Sequence, residues 1–166
     1  MKVKEVMMRT AASCSPETNL GAAVEILWNR NCGILPIVDE NLKVTGVITD
    51  RDICVALGTR NRLPGEVNVS EVTTGKLFAC APDDEIRAAL GKMAQAKVRR
   101  LPVVTAEGKL EGILSMDDVV MHSQASFGRA ASELSHDDIV ETLKQLYRPD
   151  LPQVVPQAIP FRAVAA

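Results

Sequence analysis

Apolar residues recur at helical spacing at Leu20, Val24, Leu27 and Trp28, and again at Ile86, Leu90, Met93 and Ala94. Positions three and four apart lie on one face of a helix, so each set predicts a helix with one buried stripe. Ser-Pro-Glu-Thr (15–18) and Ala-Pro-Asp-Asp (81–84) stand just ahead of them. Proline is tolerated in a first turn, and carboxylates suit the positive end of the helix dipole. A short apolar run follows each helix, Ile34 to Val38 or Leu101 to Val104. A polar turn and a second apolar run ending at Ile48 or Leu114 come next. Two such runs around a polar turn predict a β-hairpin. Thr49 and Ser115 then stand where an N-cap opens a further helix. With a short strand ahead of the first helix, each unit reads strand, helix, strand, strand, helix.

The two units are copies. Shifted by 66 residues, positions 5–54 lie on 71–120 without a gap and with 12 identities, among them Cys14 on Cys80, Leu35-Pro36 on Leu101-Pro102 and Asp52 on Asp118. A gapless repeat means one supersecondary unit used twice, and two such units are expected to pair and bury a common face. The expected organisation is a first repeat with its N-terminal segment over 1–62, a linker and second repeat over 63–128, and an appendix over 129–166. In the appendix, Ser135-His136-Asp137-Asp138 resembles a capped helix start. Ile139, Val140, Leu143, Leu146 and Tyr147 make its stripe, and Pro149 ends it. The proline-rich remainder is expected to be extended and mobile. This helix either covers an edge of the repeat core or docks on a partner or second subunit; the stripe alone fits both.

Composition narrows the class. The chain of 166 residues is 46% apolar and 24% charged, as in ordinary globular proteins. Aromatics are 3%, so the core must be aliphatic. A net charge of −2 argues against a general grip on nucleic acid. No apolar run approaches the ~18 residues of a membrane span. The start Met-Lys-Val-Lys-Glu lacks the apolar stretch of a signal peptide, which predicts a cytoplasmic protein. The four cysteines, Cys14, Cys32, Cys54 and Cys80, form no C-x-x-C pair and lie far from both histidines, so no zinc-type spacing is present. Cys14 and Cys80 are expected to be small buried thiols, with a bridge between them as the alternative. No Ser/His/acid set and no Gly-rich phosphate loop followed by Lys is present, which argues against an enzyme.

The element order, the Leu-Pro-Ile-Val (35–38) and Leu-Pro-Val-Val (101–104) strands, and the Gly46–Asp52 and Gly112–Asp118 blocks resemble a tandem pair of CBS domains, the cystathionine beta-synthase repeat. The resemblance covers about residues 1–122. It implies an α/β fold of two β-α-β-β-α repeats packed about a pseudo-two-fold axis, with two clefts that take AMP, ADP or ATP in similar proteins. S-adenosylmethionine and NAD are further ligands it allows. No separate cofactor or metal is implied. A Thr or Ser at a helix start offers a hydroxyl and free N–H groups to an anion. Asp52 and Asp118, one turn on, are placed to accept ribose hydroxyls. Plain helix capping is the other reading of both pairs. Arg100 resembles the arginine of a His-Arg pair that touches phosphate in related kinase subunits, with Arg99 beside it. One of the two is expected to face the cleft and the other solvent. Their first-repeat counterparts, Gly33 and Ile34, are uncharged, so the clefts are unequal; Arg51 adds charge to the first. The candidate nucleotide-binding residues are therefore Thr49, Arg51, Asp52, Arg99, Arg100, Ser115 and Asp118. Trp28 is assigned to core packing rather than to a base. The expected protein is a regulatory adenine-nucleotide sensor, a homodimer acting on a protein the sequence does not name, with neither nucleic acid nor membrane as partner. The alternative is a ligand-free dimerisation scaffold on the same fold.

Overall fold

A computed structural model describes residues 1–73, 76–125 and 134–148. The expected proline-rich tail after Pro149 lies outside the described residues. The chain runs α1 (Val3–Val6), α2 (Leu20–Asn29), β1 (Ile34–Val38), β2 (Val44–Thr49), α3 (Asp50–Arg60), α4 (Ile86–Ala96), β3 (Arg100–Val104), β4 (Leu110–Ser115), α5 (Met116–His122) and α6 (His136–Tyr147). Single 3-10 turns at Pro64–Glu66 and Val69–Glu71 lie between α3 and α4. The opening strand of each repeat is one residue long: Cys14 bridges Ile37 in parallel, and Cys80 bridges Val103. This is the α/β fold of two repeats that the sequence implies.

The repeats match down to their irregularities. β1–β2 and β3–β4 are antiparallel hairpins with the same register and the same bulge at their far end, between Ile37 and Val38 and between Val103 and Val104. Strand alternation divides each hairpin between two faces. Leu35, Ile37 and Ile48 join α2 and α3 in one core; Leu101, Val103 and Leu114 join α4 and α5 in another. The apolar cores are thus separate. Ile34, Val44 and Ile113 are buried yet belong to neither core. The hairpin tips of the two repeats are tied directly, with Val44 N–H donating to the Gly108 carbonyl at 2.9 Å and Leu110 N–H to the Leu42 carbonyl at 3.3 Å.

The segments entering each repeat are exchanged. Val3, Val6 and Met7 of the N-terminal segment are buried in the core of the second repeat. Val67 and Val69, just ahead of the second repeat, are buried in the core of the first. Met8 and Ile113 exchange backbone hydrogen bonds of 2.9 and 3.0 Å. Gly112 makes this approach feasible, because a Cβ there would collide with the Met8 carbonyl. Each repeat thus needs a segment delivered from outside its own run of chain.

α6 packs on the second repeat of its own chain, against α4 and α5. Leu134, Ile139 and Leu146 complete that core. Arg87 clamps Asp138 in a fork, with Nε to Oδ1 at 3.1 Å and Nη2 to Oδ2 at 3.0 Å. Val140 and Tyr147, which the sequence placed on the stripe, are exposed, and Thr142 takes a buried position instead. Among the described residues no helix is long and apolar enough to cross a membrane.

One expectation fails and another holds. Trp28 is 84% exposed, not packed in the core. The buried face of α2 is Leu20, Ala23 and Leu27, so the stripe is rotated toward a small residue and leaves Val24 and Trp28 outside. Cys14 and Cys80 are the buried free thiols expected, and they stand in different cores, so the alternative of a bridge between them falls. Burial pushes each thiol up to about 11, so neither is a thiolate near neutral pH.

Candidate functional site

Both hairpins deliver a helix start to the same end of the molecule. β2 ends at Thr49, the N-cap of α3, opposite Ile34 at the start of β1. β4 ends at Ser115, the N-cap of α5, opposite Arg100 at the start of β3. The caps have one geometry. Thr49 N–H and Oγ1 donate to Asp52 Oδ2 at 2.9 and 2.7 Å, and Asp52 N–H returns to Thr49 Oγ1 at 3.2 Å. Ser115 and Asp118 repeat this at 2.9, 2.6 and 3.1 Å. In both, Oδ2 alone is engaged, and Oδ1 of each carboxylate is without a hydrogen bond among the described residues.

A cleft of about 460 Å³ opens between the repeats at the α3 end, within the ~300–1,000 Å³ common for small-molecule sites. Thr49, Arg51 and Asp52 line it from the first repeat, and Arg99 and Arg100 from the second. These five sequence-derived candidates are brought together. Ser115 and Asp118 do not line this cleft. Both arginines do, with Arg99 exposed ahead of β3, where strand alternation does not yet apply. Arg100 is half-buried, with Nη2 3.7 Å from Asp117 Oδ2, and its guanidinium and the Asp50 carboxylate both approach Gly33. Arg51 and Arg99 make no side-chain hydrogen bond or ion pair among the described residues.

Among the lining residues that are not sequence candidates, three are cationic or aromatic. Lys76 and Phe78 enter from the segment ahead of Cys80, with the Lys76 ammonium 5.0 Å above the Phe78 ring. Lys97, in a left-handed C-cap of α4, lines the cleft while its ammonium donates to the Gln145 and Arg148 carbonyls at 2.6 and 3.1 Å. The signal for the first two was asymmetry: their first-repeat counterparts are Thr10 and Ala12, neither cationic nor aromatic. The cleft therefore gathers Arg51, Lys76, Lys97, Arg99 and Arg100 against only Asp50 and Asp52, in a chain whose net charge is −2. An apolar wall of Ile34, Val47, Val98 and Pro102 completes it. A cationic rim over an apolar wall, beside a helix N-terminus, suits a flat apolar group that carries an anion.

Paired β-α-β-β-α repeats with a cleft between them define the class: a tandem-repeat α/β module. The CBS domain model matches residues 3–59 and 69–124, and the chain belongs to the CBS domain family. A CBS domain-containing protein of Bacillus subtilis, YhcV, is 32% identical over 139 residues, covering 82% of this chain and 97% of that protein. The inosine-5'-monophosphate dehydrogenase of Methanocaldococcus jannaschii is 30% identical over 119 residues, covering 72% of this chain and 23% of that protein. Among solved structures, the CBS domain pair of protein MJ0100 in complex with 5'-methylthioadenosine and S-adenosyl-L-methionine is 26% identical, with a TM-score of 0.67, covering 73% of this chain and 94% of that one. CBSX2 in complex with AMP is 27% identical, with a TM-score of 0.64, covering 72% and 93%.

Proposed function

We propose that the chain is a regulatory module that senses AMP, ADP or ATP in the cleft between its repeats and signals by a change of shape or partner. The observation that carries this reading is the gathering of five cations, from both repeats, over an apolar wall in an acidic protein. In this reading Arg99 and Arg100 hold phosphate, for which the guanidinium fork offers parallel bonds, and Arg51 adds charge. The Oδ1 of Asp52 accepts ribose hydroxyls while Oδ2 keeps the cap. The base lies on the apolar wall beside Phe78. Ser115 and Asp118 are assigned to a second, weaker site. Adenosine-containing ligands in the solved relatives MJ0100 and CBSX2 support the ligand class. Lys97 supplies a route outward, since it touches both the cleft and the end of α6.

A homodimer belongs to the same reading. Val55 on α3 and Val120 and Met121 on α5 are exposed apolar residues, Met121 at 81%. Two-fold pairing is the commonest way to cover such self-complementary faces. A ligand-free scaffold is the second reading, favoured by one observation. Ser135 and Asp138 form the same box as Thr49 and Asp52, at 2.9, 2.8 and 3.2 Å, on a helix outside the repeats. The motif alone therefore needs no nucleotide. A thermal-shift panel of AMP, ADP, ATP and S-adenosylmethionine, with and without magnesium, separates the two. A shift with an adenine nucleotide supports sensing; none at millimolar ligand leaves the scaffold.

A further inference from the structure

Two of the four cysteines lie outside the buried cores, and both open into one cavity. Beside the inter-repeat cleft is a second cleft of about 660 Å³, lined by Cys32 and Cys54 together with Asp50, Arg99, Arg100 and Trp28. Cys32 is half-buried and packs on the edge of the first core, and Cys54 is exposed. The fold brings them there from two sides. Cys32 follows α2, and its N–H donates to the Leu27 carbonyl at 3.0 Å, which fixes the turn into β1. Cys54 lies in α3, four residues after Asp50, so the two share a helix face one turn apart. Asp50 in turn stands against Gly33, the residue after Cys32: a Cβ on Gly33 would lie 3.4 Å from Asp50 Oδ2. Ile53, the neighbour of Cys54, belongs to the core on which Cys32 packs. The two thiols therefore flank one contact, between the entry to β1 and the first turn of α3.

Cys14 and Cys80 are sealed in the cores and stay protonated near neutral pH, so they are closed to exchange chemistry. Cys32 and Cys54 have what that pair lacks: an open cavity, a second thiol in it and a charged wall. The charged groups of the wall are two guanidiniums, Arg99 and Arg100, against one carboxylate, Asp50. Such a wall favours a reagent that brings negative charge of its own. The cavity is of the size that takes a small molecule, ~300–1,000 Å³.

We propose that Cys32 and Cys54 form a thiol-exchange site for a small disulfide that carries carboxylates, of the glutathione disulfide class. Cys54 gives its proton to water, and its thiolate attacks one sulfur of that disulfide. The S–S bond breaks, and one half leaves with the electron pair and takes up a proton. The other half stays on Cys54 as a mixed disulfide, its carboxylates on Arg99 and Arg100. The Cys32 thiolate then attacks the Cys54 sulfur, and the second half leaves in the same way. The chain ends with a Cys32–Cys54 bridge, oxidised by two electrons, and the small disulfide ends as two thiols. The bridge ties the entry of β1 to α3 on a wall shared with the inter-repeat cleft, since Gly33, Asp50, Arg99 and Arg100 line both. Its formation needs no nucleotide in that cleft.

Trp28, the chain's single tryptophan, lines the same cavity, and a disulfide beside an indole quenches its emission. The full chain, reduced and freed of reductant, is treated with glutathione disulfide or with the cationic disulfide cystamine. Trp28 emission and peptide mass mapping follow the reaction. Glutathione disulfide is expected to give a peptide pair joined through Cys32 and Cys54, with Cys14 and Cys80 still free. Trp28 should be quenched until dithiothreitol is added. Cys32→Ser is expected to stop at one glutathione on Cys54, and Cys54→Ser to form no bridge. At low salt glutathione disulfide should outpace cystamine, each rate taken relative to the urea-unfolded chain. Arg99→Ala/Arg100→Ala should remove that preference. A wild-type adduct on Cys54 that Cys32 never resolves overturns the proposal. So does a bridge between the Cys54 residues of two chains, or modification of all four cysteines at one rate. Equal relative rates for the two disulfides with wild type overturn it as well.

Discussion

Asp52 is asked to do two things with two oxygens. Oδ2 closes the cap of α3, and Oδ1 is open to a ligand. Asp52→Ala should lower stability by ~1 kcal/mol, the worth of a cap contact. It should also weaken AMP by ~1.5–3 kcal/mol, the worth of a hydrogen bond to a charged group. Asp138→Ala removes a box of the same geometry away from the cleft, so it should lower stability and leave AMP affinity alone. Calorimetry beside thermal melts checks both; equal AMP affinity in wild type and Asp52→Ala would end the ribose assignment. The cysteines give a second residue-scale expectation. Cys14 and Cys80 are buried with pKa values pushed up to about 11, whereas Cys54 is exposed. Only the thiolate reacts. Timed alkylation at pH 8 read by mass spectrometry should therefore label Cys54 first and Cys14 and Cys80 only on unfolding.

At the scale of elements, the sequence placed α4 correctly and α2 with a rotation, and the difference is physical. Arg87, Lys92 and Gln95 occupy the outer side of α4, so one apolar face is left, and Ile86, Leu90, Met93 and Ala94 are all buried as their spacing predicts. α2 reads Leu-Gly-Ala-Ala-Val-Glu-Ile-Leu-Trp-Asn, apolar almost all round, so periodicity cannot choose its face. The structure chose Ala23 over Val24 and Trp28, where close packing favours the small residue. The sequence also left open where α6 docks; Arg87 and the second core settle it on the same chain. Ending the chain at Ala125 removes Leu134, Ile139 and Leu146 from that core, each worth ~1.5–3 kcal/mol when fully buried. Such a chain should melt far lower or fail to fold, and a melt matching the full chain would deny α6 its structural role. The Arg87 guanidinium, with the Ser135 bonds behind it, lowers the Asp138 carboxyl from 3.8 to about 2. A carboxyl depressed by folding stabilises fully above its unfolded pKa and loses that contribution as pH falls through the folded one. The clamp should therefore weaken between pH 4 and pH 2. The melting temperature of wild type should fall over that window more steeply than that of Asp138→Asn, and parallel curves would show the clamp contributes nothing.

Over the whole molecule, the repeat gave away the pair of units but not their exchange of segments. Glu5-Val6 and Glu71-Val72 align in the sequence as equivalents, and alignment cannot say which core each enters. The backbone contact of Met8 with Ile113 and the burial of Val67 and Val69 in the first core make the two repeats one cooperative body. The cleft followed the same pattern. Thr49, Arg51, Asp52, Arg99 and Arg100 were marked by motif, while Lys76, Phe78 and Lys97 reach it only through the fold. Because both repeats line the cleft, a ligand bound there should stabilise the entire chain. At ligand 100 times its dissociation constant, linkage adds ~2.7 kcal/mol. For a chain of this size that is roughly 5–10 °C in Tm. Sedimentation should show a homodimer at micromolar concentration, and a monomer with and without nucleotide would remove the assembly from the account. The central claim is that the cations of the inter-repeat cleft hold a phosphate. Titration calorimetry of AMP against wild type and the Arg99→Ala/Arg100→Ala double variant tests it most directly. The account predicts saturable binding to wild type that weakens with added salt, and a loss of at least ~1.5 kcal/mol in the variant, from charge-assisted hydrogen bonds no longer made. Absence of heat with wild type at millimolar AMP, or equal affinity in the two proteins, would contradict it.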